Sequence, residues 1–293
     1  MLKLGFIGAG IVGTALAVKL NRRGYSVVAV SSRSQTSGQS FSRAVDGCQV
    51  FNNNQGVADA AELIFITTPD DAIASVVSGI RWQPNQSVVH CSGADSVYVL
   101  EPARKVGAYV GAFHPLQTFA TVSQAIDNIL GSTITLEAEE PLLDVLKNMA
   151  IALEAYWVEL KAKDKVIYHA AAVIACNYLV TLVKLATDLW QTFGVSTSQA
   201  TQALLPLLRG TINNIEIMGI PQCLTGPIAR GDTGTVKKHI NTLQKVAPTI
   251  IFTYRDLGLQ TITIALAKGK INQAQAKELQ TILQPIDRGE EFK

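Results

Sequence analysis

The chain has 293 residues, of which 48% are hydrophobic and 16% charged, and its formal net charge is +2. This length suggests two domains with a large apolar core, and the composition argues against long disordered segments. The charge is balanced and no basic stripe is present, so nucleic acid is not expected as a partner. The four cysteines are far apart and lack C-x-x-C spacing. They are predicted to be reduced, buried thiols rather than zinc ligands or a disulfide framework, and no metal site is expected.

The chain begins with a glycine motif placed between a predicted strand and a predicted helix. The strand is 2–7, the motif is G-x-G-x-x-G at 8–13, and the helix continues from Thr14. In this context the first glycine permits a tight turn, the second lets a pyrophosphate approach the backbone, and the third allows close packing of helix on strand. The free N–H groups of the helix N-terminus attract phosphates. The motif therefore predicts a dinucleotide site that includes Gly8, Gly10, Ile11, Val12 and Gly13. The alternative is a turn that merely needs glycines.

The second predicted strand, 25–30, indicates which dinucleotide is bound. NAD-preferring sites usually end this strand with a carboxylate that binds the ribose 2′-hydroxyl. This strand is followed by Ser31, Ser32 and Arg33. A guanidinium can bind a 2′-phosphate with two charge-assisted hydrogen bonds. The predicted cofactor is therefore NADP(H). In the NAD-linked alternative, Arg33 is an ordinary surface charge.

Strands and helices alternate through the first half of the chain. Further strands are predicted at 49–51, 62–67, 87–91, 109–113, 133–137 and 156–160, and helices at 71–78 and 141–153. The alternation predicts an α/β fold with a mostly parallel, doubly wound Rossmann sheet at 1–161.

Helical periodicity replaces the strand pattern in the second half. Helices are predicted at 164–193, 198–218, 232–245, 248–268 and 272–283, with Asp164, Ser198 and Asp232 as N-caps. Residues 162–293 are therefore predicted to form an all-α substrate and dimerisation domain. The most apolar stretch, 170–186, is interrupted by Asn177 and Lys184, and we expect it to be a buried central helix rather than a membrane span.

Ligands in open parallel sheets bind beyond the carboxyl ends of the strands, which makes the residues there the main candidates. Thr68 and Pro69 are expected to contact the cofactor, or to form a plain turn. Ser92 and Gly93 are expected to face the nicotinamide or the substrate, or to cap a helix. The remaining candidates at these strand ends are a possible general acid, His114, and two substrate-binding residues, Gln117 and Thr118.

The helical half adds a second group of polar candidates. His169 and Asn177 are eight residues apart, or roughly 80° on an α-helix. Asn177 and Lys184 lie almost one above the other. A polar edge on an apolar helix lines a cleft or finds buried partners. Arg230 lies in a loop between two glycines and either binds an anionic group or pairs with a carboxylate. His114, His169 and Asn177 are the predicted catalytic residues, and Ser92, Gln117, Thr118, Lys184 and Arg230 the predicted substrate-binding residues.

Three further segments carry a resemblance to a known family. F-H-P-L-Q-T-F at 113–119, Y-H-A-A-A-V-I-A-C-N-Y-L at 168–179 and T-G-P-I-A-R-G-D at 225–232 resemble signatures of the Rossmann-like and DUF2520-domain proteins. With the glycine motif, the resemblance covers nearly the whole chain.

The resemblance implies an NADP-dependent oxidoreductase-like fold whose helical domain is similar to that of 6-phosphogluconate dehydrogenase and often forms dimers. Pyrroline-5-carboxylate reductase and ketopantoate reductase are more distant relatives. Hydroxyacid dehydrogenase relatives carry a lysine four residues before the asparagine. Here that position is Val173, which excludes a lysine acid/base there and favours His114 or His169.

The leading hypothesis is a reductase that transfers hydride between NADPH and a small carbonyl or imine substrate at the interdomain cleft. The rival is a dinucleotide-binding sensor or scaffold that catalyses nothing. The chain begins with a predicted strand rather than a signal peptide, and a cytoplasmic location without a membrane partner is expected.

Overall fold

The computed structural model describes residues 2–284, which form two compact units that divide between Asn177 and Tyr178. The predicted division at 161 follows the last strand. The compact unit extends further because the next segment packs on the sheet, where the Lys165 side chain is buried against Ser92 and Glu137.

The first unit is built on one eight-stranded sheet, as the alternating pattern predicts. The strands are β1 (Lys3–Ile7), β2 (Ser26–Ser31), β3 (Gln49–Phe51), β4 (Leu63–Ile66), β5 (Ser87–His90), β6 (Tyr109–Leu116), β7 (Thr133–Ala138) and β8 (Tyr156–Glu159). Their order is β3-β2-β1-β4-β5-β6-β7-β8. All neighbours are parallel except β6 and β7, which are antiparallel. The order reverses between β1 and β4, and ligands of such sheets bind at this switch point.

Helices cover both faces of this sheet. They are α1 (Ile11–Arg22), α2 (Gln35–Ala44), α3 (Asn54–Ala60), α4 (Asp70–Ser78), α5 (Glu101–Arg104), α6 (Val122–Asn128), α7 (Leu142–Ala152) and α8 (Lys165–Ala172). Each face has its own apolar core, and the central strands β1 and β4 contribute to both. Phe65 stacks on Phe6 at 5.0 Å between ring centroids and meets the edge of Phe113 at 5.8 Å.

Strand β6 is longer than its apolar pattern predicts, since it continues to Leu116 rather than ending at Phe113. His114 therefore lies within the strand, opposite Thr135 of β7. Beyond Ala112, β6 no longer pairs with β5. Pro115, which has no N–H to donate, is tolerated because one edge of the strand is unpaired there.

A π-helical turn, Val173–Asn177, follows α8 and ends the first unit. The second unit contains α9 (Tyr178–Gln191), α10 (Thr197–Met218), α11 (Thr233–Val246), α12 (Ile251–Ala267) and α13 (Gln273–Leu283). Its core is formed mainly by α11 to α13. The predicted fold class, a doubly wound sheet followed by an all-α region, is confirmed for the described residues.

The segment predicted to be a buried central helix is not buried in this chain. Ile174, Tyr178 and Val180 are 65%, 56% and 71% exposed. Residues Ala162–Gln191 are long and apolar enough to cross a membrane by length and composition alone, since an 18-residue window within them has a mean hydropathy of 1.8. The prediction fails because within the described residues this apolar face has no cover. All four cysteines are unpaired, but the prediction that they are buried holds fully only for Cys48, since Cys91 and Cys223 are partly exposed and Cys176, on this same segment, is exposed.

The predicted helix caps are confirmed in one case of three. The Asp232 carboxylate accepts the N–H of Thr235 at 2.9 Å and caps α11. Asp164 precedes α8 without a side-chain capping bond. The cap of α10 is Ser196 rather than Ser198, and its hydroxyl and the Gln199 side chain satisfy each other's backbone N–H groups.

This difference at α10 gives a stability test with a matched control. Replacing Ser196 with Ala removes a capping box and should lower the free energy of unfolding by about 1 kcal/mol. Ser198→Ala, in the first turn of the same helix, should leave it within about 0.5 kcal/mol of the wild type. Urea unfolding followed by circular dichroism measures both. Equal effects of the two changes would contradict the assigned cap.

Candidate functional site

A cavity of about 440 Å³ lies at the switch point of the sheet. It collects residues that follow β1, β2 and β4, which the sequence had singled out separately. The predicted residues that line it are Gly8, Gly10, Ser31, Ser32, Arg33, Thr68 and Pro69. We call it the switch-point cavity.

Two of the three motif glycines have the packing roles expected of them, and the third leaves open space. Gly8 has φ +110°, and a Cβ there would lie 2.7 Å from the Thr67 backbone. A Cβ at Gly13 would lie 2.4 Å from the Thr67 hydroxyl, so this glycine permits the helix to approach β4. A Cβ at Gly10 would meet only the Thr67 carbonyl oxygen, at 4.0 Å. Gly10 is also the N-cap of α1 and makes no side-chain capping bond. The space above Gly10 and the N-terminus of α1 are therefore suited to a phosphate.

The far end of the switch-point cavity has hydroxyl groups and one cation. Ser31 is buried, and its hydroxyl donates to the Asn54 amide oxygen at 2.8 Å. Arg33 is exposed and forms no ion pair with any residue of 2–284. No carboxylate lines the cavity among the described residues, so nothing there repels a second phosphate.

The sequence interpretation missed part of this lining, namely Ser34, Ser37, Asn54 and Ser75. Three of them lie on or at the start of α2 and α3, and those two helices were not predicted because their residues are mainly polar. Ile11, Val12 and Gly13 do not line the cavity, since the first two pack on the core and the third packs against Thr67. The Thr68 hydroxyl is buried and has no hydrogen-bond partner among the described residues.

A second cavity, of about 600 Å³, lies beside β6 and α8 within the first unit. Its lining combines apolar side chains with hydrogen-bonding groups. Its lining residues are His114, Leu116, Gln117, Thr118, Phe119, Tyr168, His169, Ala171, Ala172, Ala175, Cys176 and Asn177. We call it the imidazole cavity. It brings together five predicted residues, His114, Gln117, Thr118, His169 and Asn177.

Three rings form the polar wall of the imidazole cavity. The Nδ1 atom of His114 lies 2.9 Å from the Tyr168 hydroxyl. The ring centroids of His114 and His169 are 6.2 Å apart, at 86°. Gly93 packs against both histidines, because a Cβ on it would lie 2.9 Å from His114 Nε2 and 2.8 Å from His169 Cδ2. The backbone of Gly93 thus lies against the edges of both imidazoles.

The π-helical turn explains why Asn177 reaches this cavity. On a regular α-helix His169 and Asn177 would point in directions roughly 80° apart. The wider i→i+5 turn at Val173–Asn177 reduces the rotation per residue, and both side chains line the cavity. The sequence pattern assumed a regular helix and could not supply this detail.

Lys165, which the sequence interpretation missed, is buried behind the imidazole cavity. It is 1% exposed, and its ammonium group donates to the Ser92 carbonyl oxygen at 3.0 Å. The Glu137 carboxylate lies 3.9 Å away. Burial lowers the pKa of Lys165, while Glu137 favours the charged form. The only sequence signal is its spacing of three and four residues from Tyr168 and His169, which places all three on one helix face.

The environment keeps two histidines neutral at physiological pH. Burial lowers the pKa of His114 to about 4, and the charges of Lys165 and His169 add to this effect. His90 is fully buried, and burial together with Lys165 lowers its pKa to about 3. Burial raises the pKa of Tyr168, so its phenol remains protonated. At neutral pH His114 is therefore a hydrogen-bonding group rather than an imidazolium acid.

Three predicted substrate-binding residues lie outside the imidazole cavity. Ser92 is buried, and its hydroxyl donates to Asp70 and accepts the N–H groups of Ala94 and Asp95 in a turn; it caps no helix, because the next helical element, Val97–Leu100, is capped by Ser96. Lys184 and Arg230 belong to the second unit, where Lys184 pairs with Asp188 at 2.6 Å and Arg230 is exposed. Their roles in substrate binding stay predictions.

The chain matches two known families over most of its length. Residues 1–115 match a Rossmann-like domain, and residues 132–261 match the domain of unknown function DUF2520. No curated protein matches the sequence.

Several solved structures share the fold. A "putative NADP oxidoreductase" of Bacteroides fragilis is 24% identical, covers 89% of this chain and 98% of its own, and has a TM-score of 0.72. A protein of Thermotoga maritima is 23% identical, with 91% and 99% covered and a TM-score of 0.74. A reductive aminase of Aspergillus terreus in complex with NADPH and ethyl-5-oxohexanoate is 14% identical, with 97% and 92% covered and a TM-score of 0.60. At these identities the likeness establishes the fold.

The buried histidine at the end of β5 leads to a pH prediction. His90 Nδ1 accepts the Ser92 N–H at 3.1 Å, and protonation would break this bond. Because its pKa is lower in the folded chain than in the unfolded one, its contribution to stability is present above about pH 6.5 and is lost as the pH falls towards 3. The free energy of unfolding should fall by up to about 1.4 kcal/mol per pH unit from this residue.

The variant His90→Asn isolates this effect, because the Asn oxygen can accept the same N–H but does not titrate. Urea unfolding between pH 4 and 7 should give a shallower pH dependence for this variant than for the wild type. His239→Asn, which replaces an exposed histidine of the second unit, is the control and should follow the wild type. An unchanged slope in His90→Asn would show that His90 does not contribute.

Proposed function

Because the chain combines a Rossmann-like domain with a DUF2520 domain, we propose that it is an NADP(H)-dependent reductase that transfers hydride between NADPH and a small carbonyl or imine. One observation carries the proposal. Asp70, which follows Pro69 of the switch-point cavity, accepts a 2.8 Å hydrogen bond from Ser92, and the next residue, Gly93, lies against the imidazoles of the second cavity. A dinucleotide cavity and a hydrogen-bonding cavity thus adjoin at the ends of β4 and β5.

The switch-point cavity has the residues that an NADP molecule needs. Gly8 and Gly10 would let the pyrophosphate approach, and the free N–H groups at the start of α1 would bind it. Ser32 and Arg33 would bind the 2′-phosphate. The unpartnered hydroxyl of Thr68 would gain a partner when the cavity is filled.

The imidazole cavity suits a neutral, largely apolar substrate. Leu116, Phe119 and three alanines form its apolar side. Among the described residues that line it there is no Arg, Lys, Asp or Glu, and the pKa of His114 keeps that ring uncharged. A volume of about 600 Å³ lies within the range of small-molecule sites.

The protein's own groups can handle the proton of such a reaction. NADPH, when bound, supplies the hydride. The Tyr168 phenol, held by the neutral His114 ring, is placed to donate a hydrogen bond or a proton to the substrate oxygen or nitrogen. His169 faces the same space and can serve as a second donor, and the Asn177 amide can orient the substrate.

The complexes of related folds support this substrate class. The reductive aminase of the same fold is described with NADPH and a keto ester. The rival hypothesis, a dinucleotide-binding sensor or scaffold, predicts cofactor binding without turnover.

We further propose that the protein is a cytoplasmic homodimer. The described residues of α9 and α10 expose many apolar side chains, including Val180, Leu207, Ile212 and Ile217. A second copy of the chain would cover this surface and remove it from water. Light scattering in solution measures the mass, and binding to phospholipid vesicles by a monomer would instead favour a membrane role.

Arg33 provides the test of cofactor preference. Arg33→Ala should weaken NADPH binding about tenfold, because a charge-assisted contact to the 2′-phosphate is lost, and should leave NADH binding unchanged. Arg22→Ala, an exposed arginine at the end of α1, is the control. Calorimetric titration with both cofactors measures the effect. Equal NADPH affinity in Arg33→Ala and the wild type would favour the NAD-linked alternative.

The reaction itself is tested with purified protein, NADPH and a panel of neutral ketones, keto esters and cyclic imines. We expect NADPH oxidation with at least one class, and a loss of about 10²-fold in kcat in Tyr168→Phe, which removes one oxygen atom. Tight NADPH binding with no turnover across the panel would favour the sensor hypothesis. Unchanged turnover in both Tyr168→Phe and the double variant His114→Ala/His169→Ala would overturn the assigned roles.

A further inference from the structure

The buried lysine is connected to the imidazole cavity through one loop, which follows β5. Every polar group of Ser92 in this loop is hydrogen-bonded. Its N–H donates to His90, its hydroxyl donates to Asp70 and accepts two backbone N–H groups, and its carbonyl accepts from Lys165. The next residue, Gly93, packs against both His114 and His169. The Lys165 ammonium group is thus bonded to the residue that precedes this contact.

Lys165 does not line the imidazole cavity and cannot touch a ligand there, because its side chain is only 2% exposed. Burying an ammonium group is costly unless it is paired and hydrogen-bonded. A purely structural contact between α8 and the sheet could be made by an apolar side chain at lower cost. We therefore expect a role of Lys165 that depends on its positive charge or on its hydrogen bond to the Ser92 carbonyl.

We propose that Lys165 is a positioning residue of this site: its ammonium group anchors the Ser92 carbonyl and so fixes Gly93 against His114 and His169. The same charge lies near the His114 ring and opposes its protonation. The hydrogen bond between the imidazole and the Tyr168 hydroxyl is then made by a neutral ring over the whole physiological pH range. The consequence for turnover rests on the proposed reductase function, whereas the consequence for the loop and the imidazole does not.

The other charged and titratable groups around His114 must be considered with Lys165. They are His90 and Cys91 at the end of β5, Asp70 at the start of α4, Asp95 in the loop, Glu137 on β7, and Tyr168 and His169 on α8. Glu137 is the counter-charge of Lys165 and also accepts the Val97 N–H at 3.3 Å. A variant that removes only Lys165 would leave Glu137 buried without its cation and could unfold the first unit.

The test therefore uses the double variant Lys165→Met/Glu137→Gln, which removes both charges and keeps an acceptor for Val97. Lys163→Met replaces an exposed lysine in the preceding turn and is the control. The chain has only four histidines, so imidazole resonances in an NMR titration of the full-length protein can be assigned with single variants. This measurement needs neither substrate nor cofactor. NADPH affinity and the pH profile of kcat are measured alongside it.

In the double variant we expect the titration of His114 to move to higher pH and the amide resonances of Ser92 and Gly93 to shift, with NADPH affinity unchanged. In the substrate reaction kcat should fall about tenfold at pH 7, with a new dependence on acid pH. Lys163→Met should match the wild type in every readout.

Wild-type titration of His114 together with wild-type loop resonances in the folded double variant would overturn the proposal. If the wild-type protein binds no NADPH or turns over no substrate, the proposed function fails, and the imidazole titration still decides whether Lys165 positions the loop. If kcat falls while the titration and loop resonances stay as in the wild type, the positioning role is refuted even though the variant is less active.

Discussion

The structure of the first unit depends on how closely β1 and α1 approach β4 at the switch point of the sheet. The Thr67 hydroxyl donates to the Gly8 carbonyl at 2.7 Å, and side chains at Gly8 or Gly13 would occupy the same space. This close packing still leaves space above Gly10 at the start of α1. The switch-point cavity is thus the space that remains where two strands and a helix pack as tightly as glycine allows.

The two sides of the proposed active site differ in their electrostatics. The switch-point cavity offers an unpaired guanidinium, hydroxyls and a helix N-terminus, all of which favour anions. The imidazole cavity has no Arg, Lys, Asp or Glu among its described lining residues and includes the neutral ring of His114, and the buried cation Lys165 is hydrogen-bonded outside that lining. This difference would favour binding of a charged cofactor in the switch-point cavity and of an uncharged substrate in the imidazole cavity, independently of their shapes.

Much of the fold could be predicted from the sequence, because buried parallel strands are short apolar runs and their positions follow directly. The failures have physical causes. Polar helices such as α2 lack an apolar stripe, and β6 was predicted too short because Pro115 usually ends a strand. The helix around Ile174 was expected to be buried because it is apolar, but composition alone does not show whether another part of the chain covers it. In the site, His114, His169 and Asn177 were found by residue type, whereas Lys165 was missed, since a lysine in a first helical turn is normally solvated.

The hydrogen bond between Ser31 and Asn54 limits how such a chain could change its dinucleotide preference during evolution. A carboxylate at position 31 would be buried beside Asn54 and would lose most of its hydration. Position 32 is only half-buried, and position 33 is open to solvent. If the proposed cofactor is bound here, a change of preference towards the unphosphorylated dinucleotide is therefore expected through positions 32 and 33 rather than through position 31.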